Sequence, residues 1–433
     1  METKLIRIQQ LSAQNHSMVF TSLFHMIDKD LLKECHKRLD GNKATGIDGV
    51  SKELYEANLD ENLDRLVDKL KSHRYKSQPV LRVYIPKANG KKRPLSIACH
   101  EDKIVQYALK CVLEAVYEPL FLENMLGFRP KRGCHDALKS LAQTIEKQSI
   151  TMVLDADIKG FFDNLDHNWI VKMIEVHIKD PNIIWLLKKI LKAGYIEDGQ
   201  KHETLQGAGQ GSLCSPVIAN IYMHYVMNLW FWKKAKSELK GYANIIIYAD
   251  DFVGCFKYKS DAKKFLELLK RRVVEFGLEL EPTKTRLIEF GRFAEQDART
   301  KGKKPKTFSF LGFTHYCGLS RSGRFRVKRK TDSKKFSLKV AEMKQWLQQN
   351  RTRKLKEIIS ELNLKLIGHY HYFGITDNFY SIKRFYELTH NMLYKWLNRR
   401  SQKRSYNFCQ FEMMLKTYPL VKPKIYVNIY ETV

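Results

Sequence analysis

The sequence predicts an α+β chain with a helical head, a strand-rich acidic centre and a helical basic tail. Three observations predict it. Leu59, Leu63, Leu66, Val67 and Leu70 recur at helical spacing, and a second helical pattern runs from residue 102 to about 121. Short apolar runs at 151–157 and 244–256 end on, or enclose, acidic residues. The charge is also lopsided: of 433 residues, 76 are Lys or Arg and 47 are Asp or Glu, a net +29. From Lys301 onward there are 29 basic and 8 acidic residues, a net +21, against +8 for the first 300.

Taken in order, residues 17–75 read as helical, interrupted by the Gly-containing break Lys43-Ala44-Thr45-Gly46-Ile47-Asp48-Gly49-Val50. Two β-like runs at 80–85 and 93–97 flank Pro86-Lys87-Ala88-Asn89-Gly90-Lys91-Lys92, which predicts a hairpin with a basic tip. Strands are expected at 151–157, on both sides of Asp250-Asp251, and at 308–316, with a turn at Glu281-Pro282-Thr283-Lys284. The polar, basic stretch 293–307 reads as an exposed loop, and the chain turns helical and aromatic after about residue 330.

Composition narrows the function classes. With 44% hydrophobic and 12% aromatic residues the chain can bury a large core. A net charge of +29 calls for a polyanionic partner, and nucleic acid suits it better than a membrane surface. No run approaches the ~20 apolar residues of a membrane span, and Met1-Glu2-Thr3-Lys4-Leu5-Ile6-Arg7 lacks a signal-peptide core. The eight cysteines are scattered singly, which argues against structural zinc and for a reducing cytosol.

The segment Tyr248-Ala249-Asp250-Asp251 sets two aspartates between apolar strand formers. Such a pair costs stability unless a cation neutralises it, and hard oxygen ligands suit Mg²⁺; an acidic surface turn is the alternative. Leu154-Asp155-Ala156-Asp157-Ile158-Lys159-Gly160-Phe161-Phe162-Asp163 supplies a second acidic strand end. Three carboxylates from two strands can hold two cations ~3.5–4 Å apart, as two-metal phosphoryl transfer requires. Strand alternation puts Asp155 and Asp157 on one face, so spacing alone does not choose between them.

Asp157-Ile158-Lys159-Gly160-Phe161-Phe162-Asp163, Gln210-Gly211-Ser212-Leu213-Cys214-Ser215-Pro216, Tyr248-Ala249-Asp250-Asp251, Phe276-Gly277-Leu278-Glu279-Leu280 with Lys284, and Phe310-Leu311-Gly312-Phe313 resemble successive blocks of reverse transcriptases. Gly127-Phe128-Arg129-Pro130-Lys131-Arg132-Gly133 and Ala219-Asn220-Ile221-Tyr222 are similar to the group II intron maturase branch. The resemblance covers roughly residues 30–400, in order. It implies a right-hand polymerase: an N-terminal extension and helical start of the fingers at 1–75, fingers at 76–150, palm at 151–325 with finger-contributing segments near 170–215, and a helical thumb or X domain at 326–433.

The resemblance also implies roles. Asp157, Asp250 and Asp251 are the catalytic carboxylates, joined by Ile158 around two Mg²⁺ ions, with Mn²⁺ a substitute. Phe162 blocks a 2′-hydroxyl, an ordinary core phenylalanine being the alternative. Lys87, Arg93, Ile158, Gly160, Phe161, Gln210 and Ala249 meet the nucleotide, and Lys284 is a general acid near the leaving pyrophosphate, a plain surface lysine being its rival. The family usually has proline where Gly209 stands, so that loop is expected to be looser. Arg129, Arg132, Lys383, Arg384, Lys395, Arg399, Arg400, Lys403 and Arg404 are expected on nucleic acid. Most of Phe385, Tyr386, Tyr394 and Trp396 are expected in the thumb core, and His369 and His371 as packing residues rather than a metal pair.

Implied partners are an RNA template, a DNA primer or RNA–DNA hybrid, deoxynucleoside triphosphates and the chain's own intron RNA, with no membrane and a homodimer left open. The implied setting is a mobile element in the bacterial cytoplasm, bound to ribonucleoprotein or nucleoid. No Cys-rich His-Asn-His segment follows the thumb block, so DNA cleavage is not expected. Alternatives are a splicing cofactor with weak polymerase activity, a domesticated relative in DNA repair or phage defence, and an RNA-dependent RNA polymerase, which Phe162 argues against.

Overall fold

The computed structural model describes residues 2–86, 92–403 and 405–430. Among the described residues, eleven strands form three sheets: β1 Val80–Pro86, β2 Lys92–Ile97, β3 Met152–Asp157, β4 Tyr195–Glu197, β5 Gln200–His202, β6 Ala243–Tyr248, β7 Asp251–Phe256, β8 Arg286–Glu289, β9 Phe308–Phe310, β10 Phe313–Leu319 and β11 Phe325–Thr331. Their orders are β2-β1-β4-β5, β6-β7-β3-β8 and β11-β10-β9. The first sheet carries the expected hairpin, and residues 195–202 return to it by a parallel pairing of β4 with β1.

The central sheet explains why the 151–157 and 244–256 runs are so apolar. Side chains alternate across a strand, and both faces of this sheet are covered. Met152, Leu154, Ala156, Ile245, Ile247, Phe252 and Phe256 enter one core, shared with the N-terminal helices. Val153, Ile246, Val253, Cys255 and Ile288 enter a second core, shared with helix Cys134–Lys147, β9–β11 and the C-terminal helices. Each fully buried Val, Ile or Phe contributes roughly 1.5–3 kcal/mol, so register is strongly held. β3 lies antiparallel to β7 with Val153 opposite Cys255, Asp155 opposite Val253, and Asp157 opposite Asp251.

N-terminal helices Glu2–Gln14, Lys29–Arg38 and Leu59–Lys71 pack around His100–Tyr117. Asp28 caps the second of these through the Leu31 amide. After β11 come helices Ser333–Asn350, Leu355–Phe373, Phe379–Leu397 and Phe408–Thr417. No helix among the described residues is long and apolar enough to cross a membrane.

One expectation needs correction, and two expected domain boundaries fall across observed elements. Helix Ala294–Thr300 occupies the stretch read as a loop; its polar residues face solvent and only Ala294 is buried. The boundary between residues 325 and 326 cuts into β11, whose partner is β10, so the thumb helices begin at Ser333. Helix Cys134–Lys147, expected in the fingers, packs through Leu138, Leu141 and Ile145 into the second core, with β9–β11 and the C-terminal helices.

Candidate active site

The β6–β7 hairpin turns over two residues, Ala249 and Asp250, with Tyr248 paired to Asp251. Ala249 takes φ +58°, uncommon for a residue with a side chain. The tight turn sets Asp250 and Asp251 at the end of the sheet beside Asp157. Asp251 shares a sheet face with Val253 and Cys255, and Asp157 shares it with Val153 and Asp155. This face turns toward the thumb side of the sheet.

The register separates the two candidates on β3. Asp155 lies opposite Arg286 of β8 and accepts its guanidinium at 2.9 Å. Asp157 lies one strand period further out, at the strand end, where the Lys284 ammonium donates to it at 2.5 Å. Burial raises the Asp250 carboxyl, Asp157 raises it further, and Arg93 acts in the opposite sense, so the fingers hairpin reaches the field of this turn. Asp251 is pushed up to about 6, chiefly by burial and then by Asp250 and Asp157. Part of the residue still opens on solvent, which screens the charge.

These carboxylates repel one another; Lys284 is bonded to Asp157, and Arg93 acts on Asp250 from the fingers hairpin. Among the described residues, no three His, Cys, Asp or Glu side chains already close around one point. Hard cations such as Mg²⁺ keep water and phosphate oxygens and need only one or two protein carboxylates. The all-oxygen donor set at the ends of β3 and β7 fits that requirement.

Beside the carboxylates, Gly160 at φ +55° opens the single turn 161–163, buries Phe161 and leaves Phe162 half-exposed. The Phe162 carbonyl accepts from the Ala208 amide at 2.9 Å, which ties it to the loop carrying Gln210. Gln210 in turn accepts at its carbonyl from the Ser96 amide of β2 at 2.6 Å. Gly209 takes φ +60°, which proline, fixed near −65°, cannot adopt. Two hydrogen bonds tie the loop at this position: Ser215 Oγ donates to the Gly209 carbonyl at 3.0 Å, and the Ser212 amide does so at 3.2 Å.

The family described as reverse transcriptase (RNA-dependent DNA polymerase) matches residues 85–315. The chain belongs to the reverse transcriptase family. The maturase-specific domain of group II introns matches residues 334–410, directly after it. The group II intron-encoded protein LtrA of Lactococcus lactis subsp. cremoris is 39% identical over 222 residues, 51% of this chain and 37% of that protein. An uncharacterized 91 kDa protein in a cob intron of Schizosaccharomyces pombe is 34% identical over 216 residues, 50% of this chain and 26% of its own length. Protein YkfC of Escherichia coli is 32% identical over 268 residues, 55% of this chain and 70% of YkfC. The chain thus spans little more than a third of LtrA.

As a reverse transcriptase the chain departs from the sequence reading at several named residues. The Arg129 side chain is not an exposed cation. It is buried, bonded to Glu118 at 2.9 Å and to the carbonyls of Leu122 and Met125 at 2.8 and 2.9 Å, and so braces the chain. Arg132 forks onto Glu123. Ile158 and Phe161 bury their side chains, leaving only main chain toward the site. Lys87 and Arg404 lie outside the described residues.

In the thumb, Lys383, Arg384, Lys395, Arg399 and Lys403 are exposed and Arg400 is half-buried. Phe385 and Trp396 enter the core, while Tyr386 and Tyr394 pack against it. His369 stacks on Phe385 at 3.8 Å, and His371 stacks on Tyr426 at 4.2 Å. Two residues to which the sequence assigned no role support the Asp250–Asp251 turn, Gly127 and Asn220. Both lie in quoted motifs, but only the contact between distant segments reveals their use.

Proposed function

We propose that this chain is an RNA-directed DNA polymerase that also binds group II intron RNA as a splicing maturase. The observation that carries the reading is the pairing of Asp157 with Asp251 at adjoining strand ends, with Asp250 on the turn between β6 and β7. Asp157, Asp250, Asp251 and the main chain at Ile158 would hold divalent ions, Mg²⁺ or its substitute Mn²⁺. When bound, such ions activate the primer hydroxyl and neutralise charge on the triphosphate.

The chain's own groups supply the rest. Arg93 on β2, with Lys87, binds the triphosphate, Arg by forking onto oxygens and Lys as a point charge. Gln210 orients the nucleotide, and the half-exposed Phe162 ring acts as the bulk that rejects a 2′-hydroxyl. Lys284 is held charged by its bond to Asp157 and delivers a proton to the leaving pyrophosphate. The exposed basic side chains of Phe379–Leu397 and the turn after it hold the phosphates of template–primer or intron RNA. The maturase-domain match supports the second activity, and the setting is a cytoplasmic ribonucleoprotein.

The test is primer extension on an RNA template with Mg²⁺, comparing deoxynucleotides with ribonucleotides, alongside Asp250→Ala. The expected result is a DNA product that the substitution abolishes. A folded protein that binds RNA yet extends no primer with any nucleotide would replace this reading with an RNA-binding splicing cofactor.

A further inference from the structure

Phe128 has no place in the roles above, yet its geometry is unusual. Residues 124–127 run beside β6 like an additional strand. The Leu126 amide donates to the Ile247 carbonyl and the Ile247 amide to the Asn124 carbonyl, both at 2.9 Å. The Asn220 side chain donates to the Gly127 carbonyl at 2.9 Å, and the Asn124 side chain donates to Asn228 Oδ1 at 2.8 Å. This strand ends against the catalytic turn: a Cβ on Gly127 would lie 2.2 Å from the Ala249 nitrogen.

The next residue, Phe128, takes φ +56° and leaves 48% of its surface exposed. A bulky side chain rarely accepts that backbone conformation, and the ring gains little burial in return. What it does gain is an edge-to-face contact with Phe162, at a centroid distance of 6.3 Å and an interplanar angle of 76°. Phe162 meets Phe161 at 5.5 Å and 77°, and Phe161 is itself fixed in the core against Tyr222. The Phe162 ring therefore rests between one immobile aromatic neighbour and one exposed neighbour, and the exposed one is joined directly to the Asp250–Asp251 turn through Gly127.

We propose that Phe128 is a positioning residue for sugar selection, holding the Phe162 ring in the orientation that excludes a 2′-hydroxyl. The inference rests on the polymerase reading and on Phe162 as the sugar gate. It predicts that discrimination depends on a residue with no need to touch the nucleotide. An edge-to-face aromatic pair is worth enough to change the gate's population by about three- to tenfold, about 0.6–1.4 kcal/mol at 1.4 kcal/mol per decade.

The experiment measures kcat/KM for single incorporation of dCTP and of CTP on an RNA template. It uses the wild type, Phe162→Ala, Phe128→Ala, Phe128→Tyr and the double alanine variant, with Phe128→Leu as a second variant should Phe128→Ala fold poorly. The expected result is a CTP:dCTP ratio raised about three- to tenfold in Phe128→Ala or Phe128→Leu. Phe128→Tyr restores the ratio, and the double variant is no more permissive than Phe162→Ala. If Phe162→Ala raises the ratio and Phe128→Ala and Phe128→Leu do not, the role of Phe128 is refuted while the gate stands. Equal slowing of both nucleotides, or fully additive effects, also overturns it. If Phe162→Ala leaves the ratio unchanged, the gate reading falls first and the inference with it.

Discussion

Gly127 gives the sharpest quantitative expectation. A Cβ there would lie 2.2 Å from the Ala249 nitrogen, 2.8 Å from the Tyr248 carbonyl carbon and 3.1 Å from the Ala249 Cα. Ordinary contact begins near 3.4 Å, so the two backbones must part by about 1.2 Å in Gly127→Ala. The 124–127 strand cannot simply retreat, because its hydrogen bonds to Ile247 and from Asn220 would break. The hairpin that carries Asp250 and Asp251 must then move. A displacement near 1 Å at a reacting centre costs about a hundredfold in rate, and forced overpacking costs about 1–3 kcal/mol of stability. Gly127→Ala is expected to lower single-turnover primer extension about a hundredfold while the protein stays folded. Gly133→Ala is the control from the same motif: its Cβ would meet only Asp136 Oδ2, at 3.8 Å, and its rate should stay at the wild-type value. A folded Gly127→Ala protein with a rate within about threefold of wild type, far short of the expected loss, would refute the reasoning.

Three other expectations follow from the same geometry. Asp251 holds its proton more tightly folded, at about 6, than unfolded, near 3.8, so it destabilises the metal-free fold increasingly as pH rises through that window. Asp251→Asn should therefore stabilise the protein in EDTA at pH 7.5 by on the order of 1 kcal/mol, after allowance for solvent screening. The gain should shrink toward pH 4; urea melts that show the same gain at both ends of the window would contradict it. Arg129→Met strands the partly buried Glu118 and should cost about 3–5 kcal/mol of stability without weakening RNA binding per folded molecule; a loss of affinity with unchanged melting would return Arg129 to the nucleic-acid surface. Lys284→Met should slow single-turnover chemistry about a hundredfold or more and lower the Mg²⁺ concentration for half-maximal rate, since the ammonium no longer occupies Asp157. An unchanged or higher Mg²⁺ requirement would count against that competition.

Much of this site was legible in the chain because its chemistry is local. Adjacent aspartates between strand-forming Ile247 and Phe252 are costly without a cation, so Asp250 and Asp251 announce themselves. Period-2 alternation places Asp155 and Asp157 together, and a basic run between two short strands makes the fingers hairpin visible. The C-terminal excess of positive charge marks a surface for polyanions whatever its exact packing.

What the sequence left open depended on partners far away in the chain. Pairing with β7 and β8 sets Asp157 against Asp251 and gives Asp155 to Arg286, a choice that alternation along one strand cannot make. Arg129 reads as a free cation until Glu118 and two carbonyls, brought together by the turn that follows His100–Tyr117, use its donors. Asn220 and Gly127 look like ordinary helix and loop residues until packing brings Gly127 against Ala249 and the Asn220 side chain onto the Gly127 carbonyl. Composition and periodicity thus determined an α+β chain with an acidic centre and a strongly basic C-terminal part. Strand register and close backbone approach decided which carboxylates meet and what holds them, because both arise from contacts between residues tens to more than a hundred positions apart.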